Sequence, residues 1–314
     1  MVGTEAGLNY PKLDVTSHVR GLGAQKGQKP AAPPIEEKLQ KLVDRTLYAD
    51  GRPQAQRFRN FLNGTWLGEP LHVVLTDVPI GAWTAAMIFD ALSLIRSDRE
   101  FAWAADASIA VGLAGAVCAA ATGVTDWSDV DPPARRAGFI HGLLNISATA
   151  MFVTSFILRK NRLRPAGRLS AALGYALMTC AARLGGKMVY EDRVGVDRTD
   201  GQPLPRDFEP VLAESDLAEG KPTRAVHNNV PILLVRRADR LFAMAETCSH
   251  FGGRLSEGKL AGDSIVCPLH NSRFALEDGR VLDGPAVHPQ PCLEVRSRGG
   301  QIEVRKRSSA CRRI

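Results

Sequence analysis

The chain has 314 residues, of which 45% are hydrophobic, 23% are charged and 6% are aromatic. This composition excludes a wholly disordered chain, a collagen and a small disulfide scaffold. The formal net charge of +7 has the sign that attracts nucleic acid. The basic residues are scattered through tails and loops without interleaved aromatic residues, so we expect no nucleic-acid partner.

The N-terminal part of the chain is polar. Residues 1–34 end in a Lys-, Gly- and Pro-rich stretch and are predicted to form a disordered arm. Residues 35–61 are predicted to be an amphipathic helix region, because Ile35, Leu39 and Leu42 recur at helical spacing. Such a helix can pack on its own domain or lie in the membrane interface, and the pattern leaves both open.

Four apolar segments follow, at 71–95, 102–127, 138–158 and 169–190. Each has about the 20 residues that a helix needs to cross a bilayer core of about 30 Å. The third segment carries no charge, which disfavours a soluble four-helix bundle. We predict a four-helix transmembrane domain over 62–197, with no internal repeat evident.

The loops between the four segments are short, so neighbouring helices should be antiparallel. The first and third helices then begin on the side where the second and fourth end. The chain after Tyr190 emerges on that same side, which we expect to be the cytoplasmic side of the cell membrane.

A polar linker at 198–207 precedes a different pattern. Alternating apolar residues at 231–235, 241–245, 293–297 and 301–304 predict short strands separated by turns. We therefore predict a multidomain chain, in which an α-helical four-helix membrane bundle is followed by a small all-β domain over 208–306. Residues 307–314 are predicted to be a basic tail.

Two short boxes in the β region carry the strongest chemical signal, Cys248-Ser-His250 and Cys267-Pro-Leu-His270. Together they offer two thiolates and two imidazoles, which a [2Fe–2S] cluster can use with cysteines on one iron and histidines on the other. Zinc is the alternative metal. Structural zinc sites usually pair cysteine with cysteine and histidine with histidine within a box, whereas each box here is mixed.

This segment resembles the Rieske family over about residues 208–305. The resemblance implies an iron–sulfur domain in which Cys248 and Cys267 hold the inner iron. His250 and His270 would hold the outer iron through one ring nitrogen and present the other to solvent or a partner. It also implies that Ser272 donates a hydrogen bond to a cluster sulfur, and that the run 284–286 is the proline loop covering the cluster.

The departures from this resemblance concern the reduction potential. Gly253 and Leu269 stand where high-potential Rieske proteins have a disulfide, and Phe274 stands where they have a tyrosine. Fewer donors to the cluster sulfurs lower the potential, so we expect a ferredoxin-type domain in the lower part of the Rieske range. Asn271 replaces a frequent glycine, and asparagine tolerates positive φ.

The helical region resembles the DUF2231 family of membrane domains over 62–197, on the segments 63–83, 122–129 and 136–145. This resemblance implies no assigned activity. His72, Asp77, Asp126 and His141 should lie on the side of the β domain. They are interpreted as a redox site for a haem, a metal or a quinone, or as a His–Asp network that fixes helix packing.

The leading hypothesis is a membrane-anchored Rieske-type protein that carries single electrons, like a ferredoxin. Its partners would be the lipid bilayer and a redox protein donor and acceptor that the sequence does not name. No catalytic residue is predicted, because an oxygenase would need a further iron site of two histidines and a carboxylate. The alternative is a membrane oxidoreductase with a haem or quinone site in the helical domain, coupled to the cluster.

Overall fold

The computed structural model of the protein describes residues 34–48, 53–132 and 134–307. The predicted disordered arm and basic tail lie outside the described residues, except for Pro34 and Arg307. Helices occupy the N-terminal part and strands the C-terminal part, which confirms the predicted fold class. The helices are α1 (Ile35–Val43), α2 (Pro53–Asn63), α3 (Leu71–Arg96), α4 (Arg99–Trp127), α5 (Ala134–Lys160) and α6 (Arg164–Tyr190), with a π-helical turn at Asp44–Tyr48 after α1.

The four long helices form an antiparallel bundle. Three of them, α3, α4 and α5, are long and apolar enough to cross a membrane by length and composition. α6 is also long, with 27 residues, but it is not among the helices apolar enough for a span. Large apolar side chains cover the outside of the bundle, among them Val74, Ile88, Val111, Val117, Ile146, Ile157 and Leu173. An exposed apolar belt of this kind is what a helix bundle presents to lipid.

α1 packs on the bundle through a polar contact. Gln40 is buried, and its side-chain amide donates to the carbonyls of Trp127 (2.6 Å) and Val130 (3.0 Å) just after α4. The predicted apolar stripe is not buried by this contact, because Ile35 and Leu42 remain exposed. α1 therefore docks on its own domain while its apolar side chains stay available to a membrane interface.

The bundle contains an internal repeat that inspection of the sequence did not reveal, so the expectation of no repeat was wrong. The hairpin α3–α4 corresponds to the hairpin α5–α6. In the second helices of the two hairpins, nine residues are identical at equivalent positions, among them Ser108 and Ser170, Gly112 and Gly174, Cys118 and Cys180, Ala119 and Ala181, and Gly123 and Gly185. The signal was missed because small residues dominate it, and small apolar residues are common in any membrane helix.

Equivalent positions of α3 and α5 meet inside the bundle at successive levels. His72 lies beside His141 at one end, and Trp83 stacks on Phe152 with ring centroids 4.0 Å apart in the middle. Glycines make room for the stacked pair, since a Cβ at Gly112 would collide with the Trp83 indole. We call the end with the histidines the near end and the opposite end the far end.

A network of ion pairs links the four long helices at the far end. The guanidinium of Arg159, on α5, is fully buried and pairs with Asp90 on α3 and with Asp106 on α4. Two arginines of α6 complete the network: Arg164 pairs with Asp106 and Arg168 with Asp90. Every long helix contributes to this network, so each buried charge has an opposite charge within reach.

The β domain consists of two antiparallel sheets. The larger has the order β1-β10-β9-β4-β3-β2 and the smaller β5-β6-β7-β8. The strands are β1 (Glu209–Ala213), β2 (Thr223–His227), β3 (Val230–Arg237), β4 (Arg240–Ala245), β5 (Lys259–Leu260), β6 (Ser264–Val266), β7 (Arg273–Ala275), β8 (Val281–Asp283), β9 (Cys292–Arg298) and β10 (Gln301–Lys306). The four predicted strands correspond to β3, β4, β9 and β10 and are confirmed.

Both faces of β3 are buried. Leu233 and Val235 point into the core shared with the smaller sheet, whereas Ile232 and Leu234 point into a second core with β9 and β10. Two-residue turns with positive φ connect the hairpins, for example Ala238-Asp239 between β3 and β4. Turns of this kind match the right-handed twist of the strands. The double core holds the loop between β4 and β5 and the loop between β6 and β7, which carry the two Cys–His boxes.

Candidate metal centre

Two loops of similar construction present the Cys–His boxes. The first follows β4, and the Cys248 amide donates to the Gly253 carbonyl (2.8 Å). The second follows β6, and the Cys267 amide donates to the Ser272 carbonyl (2.8 Å). Asn271 has a φ of 62° in the second loop, as the tolerance of asparagine for positive φ predicted. Each loop thus turns back on itself and points its cysteine inward.

The two cysteine sulfurs lie within hydrogen-bonding reach of each other in the core. The shared proton lowers the pKa of the Cys267 thiol to about 7 and raises the pKa of Cys248. Backbone amides also point at the sulfurs, those of His250 and Phe251 at Cys248 and those of Leu269 and His270 at Cys267. Hydrogen bonds from several N–H groups stabilise a cysteine sulfur in its negatively charged form.

The two imidazoles form a second pair beside the sulfurs. The ring centroids of His250 and His270 are 5.1 Å apart, with the rings nearly perpendicular. Nδ1 of His250 is buried and has no hydrogen-bond partner. A buried nitrogen without a partner is unusual in a protein and is explained when a metal ion takes the place of the missing partner.

These four side chains fit an iron–sulfur cluster better than a single ion. Within the part of the chain that the structure describes, no group of three or more His, Cys, Asp or Glu side chains is placed to hold one metal ion. The donors are instead sorted into a sulfur pair and an imidazole pair, which corresponds to two metal atoms with different ligands. A structural zinc ion would need all four donors around one point.

The positions at which this chain differs from high-potential Rieske proteins lie close to the two cysteines. A Cβ at Gly253 would lie 2.8 Å from the Cys267 sulfur and 3.0 Å from Cγ of Leu269. The two positions that lack cysteines are therefore neighbours. Phe274 is fully buried in the same core. The Ser272 hydroxyl accepts from the Ala286 amide (2.9 Å), which leaves its own proton available to another acceptor.

Comparisons with known proteins match both halves of the chain. Residues 68–198 match the family described as "Predicted membrane protein (DUF2231)" and residues 207–294 match the Rieske [2Fe-2S] domain. The anthranilate 1,2-dioxygenase ferredoxin subunit of Burkholderia cepacia is 34% identical over 98 residues, which are 31% of this chain and 91% of the relative. The chain belongs to the Rieske [2Fe–2S] family. This membership implies a [2Fe–2S] cluster in the β domain.

Two further relatives are also ferredoxins. The ferredoxin component of biphenyl 2,3-dioxygenase from Rhodococcus jostii strain RHA1 is 33% identical over 94 residues, which are 30% of this chain and 88% of the relative. Among solved structures, the ferredoxin of carbazole 1,9a-dioxygenase from Nocardioides aromaticivorans IC177 is 28% identical and covers 32% of this chain and 98% of its own, with a TM-score of 0.30. The relatives correspond to the Rieske domain and leave the helical domain unmatched.

The helical domain covers the histidine side of the Rieske domain, which the sequence did not predict. The His270 side chain is only 14% exposed, and its Nε2 lies 3.8 Å from a carboxylate oxygen of Asp131 in the loop after α4. This is an ion-pair distance rather than a hydrogen bond. The resemblance implied that the second ring nitrogen of His270 faces solvent or a partner, and in this structure it faces a loop of the same chain.

Asn60, near the end of α2, holds the predicted proline loop. Its side-chain amide donates to Asp283 (3.0 Å), and its side-chain oxygen accepts from the Gly284 amide (2.9 Å). On the other side, the Arg198 amide donates to the Ser249 carbonyl (3.0 Å), and its guanidinium lies 5.5 Å from the centre of the Phe251 ring. The Rieske domain is thus fixed to the near end of the bundle from two sides. Asn60 lies in no recognisable motif, so sequence reasoning had no signal for it.

Several carboxylates lie where the two domains meet. Arg59 pairs with Asp129, while Asp44 and Asp131 lie close by. Burial raises the pKa of Asp44 from 3.8 to about 6, and the Asp129 carboxylate adds to this, against the opposing effect of Arg59. Asp44 therefore holds its proton more tightly than an aspartate in water does.

The structure brings together only two of the four residues predicted for a membrane site. The His72 and His141 rings lie 6.4 Å apart. Asp77 is exposed on the outside of the bundle, and Asp126 is half-buried near Asp129 and Arg59. The Nδ1 atoms of the two histidines bond to backbone carbonyls and not to the predicted aspartates.

Proposed function

We propose that this chain is a membrane-anchored Rieske ferredoxin that carries single electrons. In this proposal Cys248 and Cys267 hold the inner iron of the cluster, and His250 and His270 hold the outer iron. The observation that carries the proposal is the sorting of the four donors into a buried sulfur pair and an imidazole pair, with a partnerless Nδ1 on His250.

The residues around the centre set its electronic properties. The cluster, when bound, supplies the ability to accept and release one electron. The backbone amides aimed at the two cysteine sulfurs stabilise the more negative, reduced state. Phe274 offers no hydroxyl, and Gly253 and Leu269 form no disulfide. These absences support a potential in the lower part of the range of about −150 to +300 mV.

The helical domain supplies the anchor. Three helices that satisfy the length and composition of a membrane span, together with the exposed apolar belt, support insertion in a lipid bilayer. We place the near end and the Rieske domain on the cytoplasmic side of the cell membrane. Accessibility of a tag at the C-terminus in intact cells and in inverted vesicles tests this orientation.

The electron donor and acceptor are proposed to be redox proteins. The relatives are ferredoxin components of dioxygenases by name, and a ferredoxin carries electrons between two other redox centres. The docked position of His270 favours a second function. Because Asp131 of the helical domain covers this edge of the Rieske domain, an electron acceptor inside the helical domain would make the chain a membrane oxidoreductase.

Spectroscopy of the full chain tests the cluster assignment. Protein purified in detergent should contain two iron and two sulfide per chain, and after reduction it should give an EPR signal with an average g below that of all-cysteine clusters. Cys267→Ser should remove the signal. The matched control is Cys292→Ser, a buried cysteine in the same domain, which should retain it.

A further variant separates loss of the ligand from loss of the fold. His270→Cys can still hold iron, and should shift the average g toward that of all-cysteine clusters and lower the potential. Zinc without iron in the purified protein, or an unchanged signal in both Cys267→Ser and His270→Cys, would refute the assignment.

A further inference from the structure

Two imidazoles inside the membrane domain have no role in the cluster. His72 begins α3 and His141 lies near the start of α5, at equivalent positions of the repeat. Their ring centroids are 6.4 Å apart and the ring planes are nearly perpendicular, at 87°. Ionisable side chains within membrane helices are costly and are usually functional.

The hydrogen bonds of the two rings determine which nitrogen is available. Nδ1 of His72 lies 2.9 Å from the carbonyl oxygen of Ala119 on α4. Nδ1 of His141 lies 2.9 Å from the carbonyl oxygen of Ala181 on α6. A carbonyl oxygen can only accept, so each Nδ1 carries the proton and each Nε2 of the neutral ring carries a lone pair. Metal-binding histidines are typically oriented by such a bond from their second nitrogen.

Glycines bring the rings close to the neighbouring helices. A Cβ at Gly123 would lie 2.7 Å from Cε1 of His72, and a Cβ at Gly185 would lie 3.1 Å from Cε1 of His141. Each ring therefore packs on helix backbone one turn beyond the carbonyl that orients it. The same histidine, carbonyl and glycine occur in both hairpins, so the arrangement is built twice.

The donor set indicates the class of ligand. Two imidazoles are too few for a bare ion, and among the described residues no third His, Cys, Asp or Glu joins them. The ligand must then bring the remaining donors itself. A haem does so, because its four ring nitrogens leave two axial positions. An oxidised quinone is a poorer match, because its carbonyl oxygens need donors and both Nε2 atoms are acceptors.

We propose that His72 and His141 are the two axial ligands of a haem held at the near end of the bundle. The haem is bound without covalent attachment, because the sequence has no Cys-x-x-Cys-His motif. Asn145 donates from its side-chain amide to Nε2 of His141 (3.0 Å) and to the His141 carbonyl (3.0 Å). On haem binding the first bond is replaced by iron and the second remains.

The position of this site deepens the membrane oxidoreductase function proposed above, on which its redox role rests. Gly123, which packs on His72, lies four residues before α4 ends at Trp127, or about 6 Å along the helix axis. The loop that follows carries Asp131, whose carboxylate lies 3.8 Å from His270. The end of α4 thus connects the haem site to the covered edge of the Rieske domain. One electron leaves the reduced cluster, which becomes oxidised, and the ferric haem becomes ferrous. No bond forms or breaks.

Haem binding by the full chain tests the proposal. Protein purified in detergent from cells supplied with a haem precursor should contain one haem per chain, with the spectrum of a low-spin, six-coordinate iron. Haem-free protein titrated with hemin should reach the same spectrum. His72→Ala and His141→Ala should each lower the hemin affinity at least tenfold, and added imidazole should restore the low-spin spectrum. The control His227→Ala changes a histidine of the Rieske domain and should have no effect.

Adjacent glycines give a matched pair that keeps both histidines. A Cβ at Gly185 presses on His141, whereas a Cβ at Gly186 has nothing within 4 Å. Gly185→Ala should weaken hemin binding or shift its spectrum, and Gly186→Ala should do neither. No Soret band after hemin titration of protein with an intact cluster signal would overturn the proposal. So would a low-spin spectrum that survives in both His72→Ala and His141→Ala.

The same samples separate this proposal from the cluster assignment. His72→Ala should retain the reduced-cluster EPR signal while the haem is lost. Cys267→Ser should lose the cluster signal while the haem remains. Failure of one result therefore leaves the other standing, and rapid mixing of dithionite with each variant shows whether haem reduction depends on the cluster.

Discussion

The two ends of the helical bundle place polar residues at equivalent positions of the same repeat, with opposite results. At the far end the repeat has Asp90 on one hairpin and Arg159 on the other, and these opposite charges pair. At the near end both hairpins have histidine, and the two imidazoles cannot bond to each other because both Nε2 atoms are acceptors. Nε2 of His141 accepts from the Asn145 amide instead. The far end is held together by opposite charges, whereas the near end brings together two ring nitrogens that can each bind a metal.

The charge balance of the two ends shows the same contrast. At the far end, Arg159, Arg164 and Arg168 surround two aspartates. At the near end, Arg59 pairs with Asp129, and the pKa of the neighbouring Asp44 stays raised despite this arginine. Perturbed pKa values of this kind are frequent at functional sites.

The strongest test of the contrast is removal of the central arginine. Arg159→Leu leaves the Asp90 and Asp106 carboxylates without their buried partner, and should destabilise the helical domain by about 3–5 kcal/mol. Thermal unfolding in detergent, followed by circular dichroism, measures this effect. Lys160→Leu changes the adjacent exposed residue and should change stability little. The double variant Asp90→Leu/Arg159→Leu should recover part of the loss, and equal stability of Arg159→Leu and the wild type would show that the network is not structural.

A second test uses pH at the near end. The pKa of Asp44 is raised to about 6 in the folded protein from its ordinary value of 3.8, so the folded state binds this proton more tightly than the unfolded state. The contribution of Asp44 to stability should be greatest below about pH 4, and should fall on the order of 1–2 kcal/mol as the pH rises to about 6. This loss is smaller than the full pKa shift would give, because the side chain keeps contact with water.

Asp44→Asn should abolish this loss. The variant should match the wild type at pH 4 and exceed its stability at pH 7, measured by denaturant unfolding at each pH. A variant that is less stable than the wild type at pH 7 would contradict the assigned cause, because it would show that the ionised carboxylate stabilises the interface.

The smallest effect is expected where the proposed ligand is absent. In haem-free protein, His72→Leu removes one hydrogen bond to the Ala119 carbonyl and should cost about 1 kcal/mol. Haem should stabilise the wild type in the same unfolding assay but not the variant. A loss in haem-free protein as large as that of Arg159→Leu would make the histidine pair a structural element like the far end.

Features that depend on residues close together in the chain could be predicted from the sequence. The Cys248 and Cys267 boxes could be read directly, because the donors of each box are two or three residues apart in one loop. The long helices and the main strands could also be predicted, since hydrophobic periodicity and apolar length are properties of contiguous residues. The repeat was not evident from the sequence, because the residues identical in α4 and α6 are small, and small residues are common in any membrane helix.

Other features required the tertiary structure because they depend on residues far apart in the chain. Asn60 reaches the loop at Gly284 across more than two hundred residues, and no local pattern marks such a pairing. The sequence placed His72 and His141 on one side of the membrane, but the helix packing decided that they meet each other and that Asp77 turns away. The sequence alone thus determined which chemical groups the protein has and on which elements they lie. Only the packing of those elements decided which groups became partners, because burial and hydrogen bonding are set by neighbours in space.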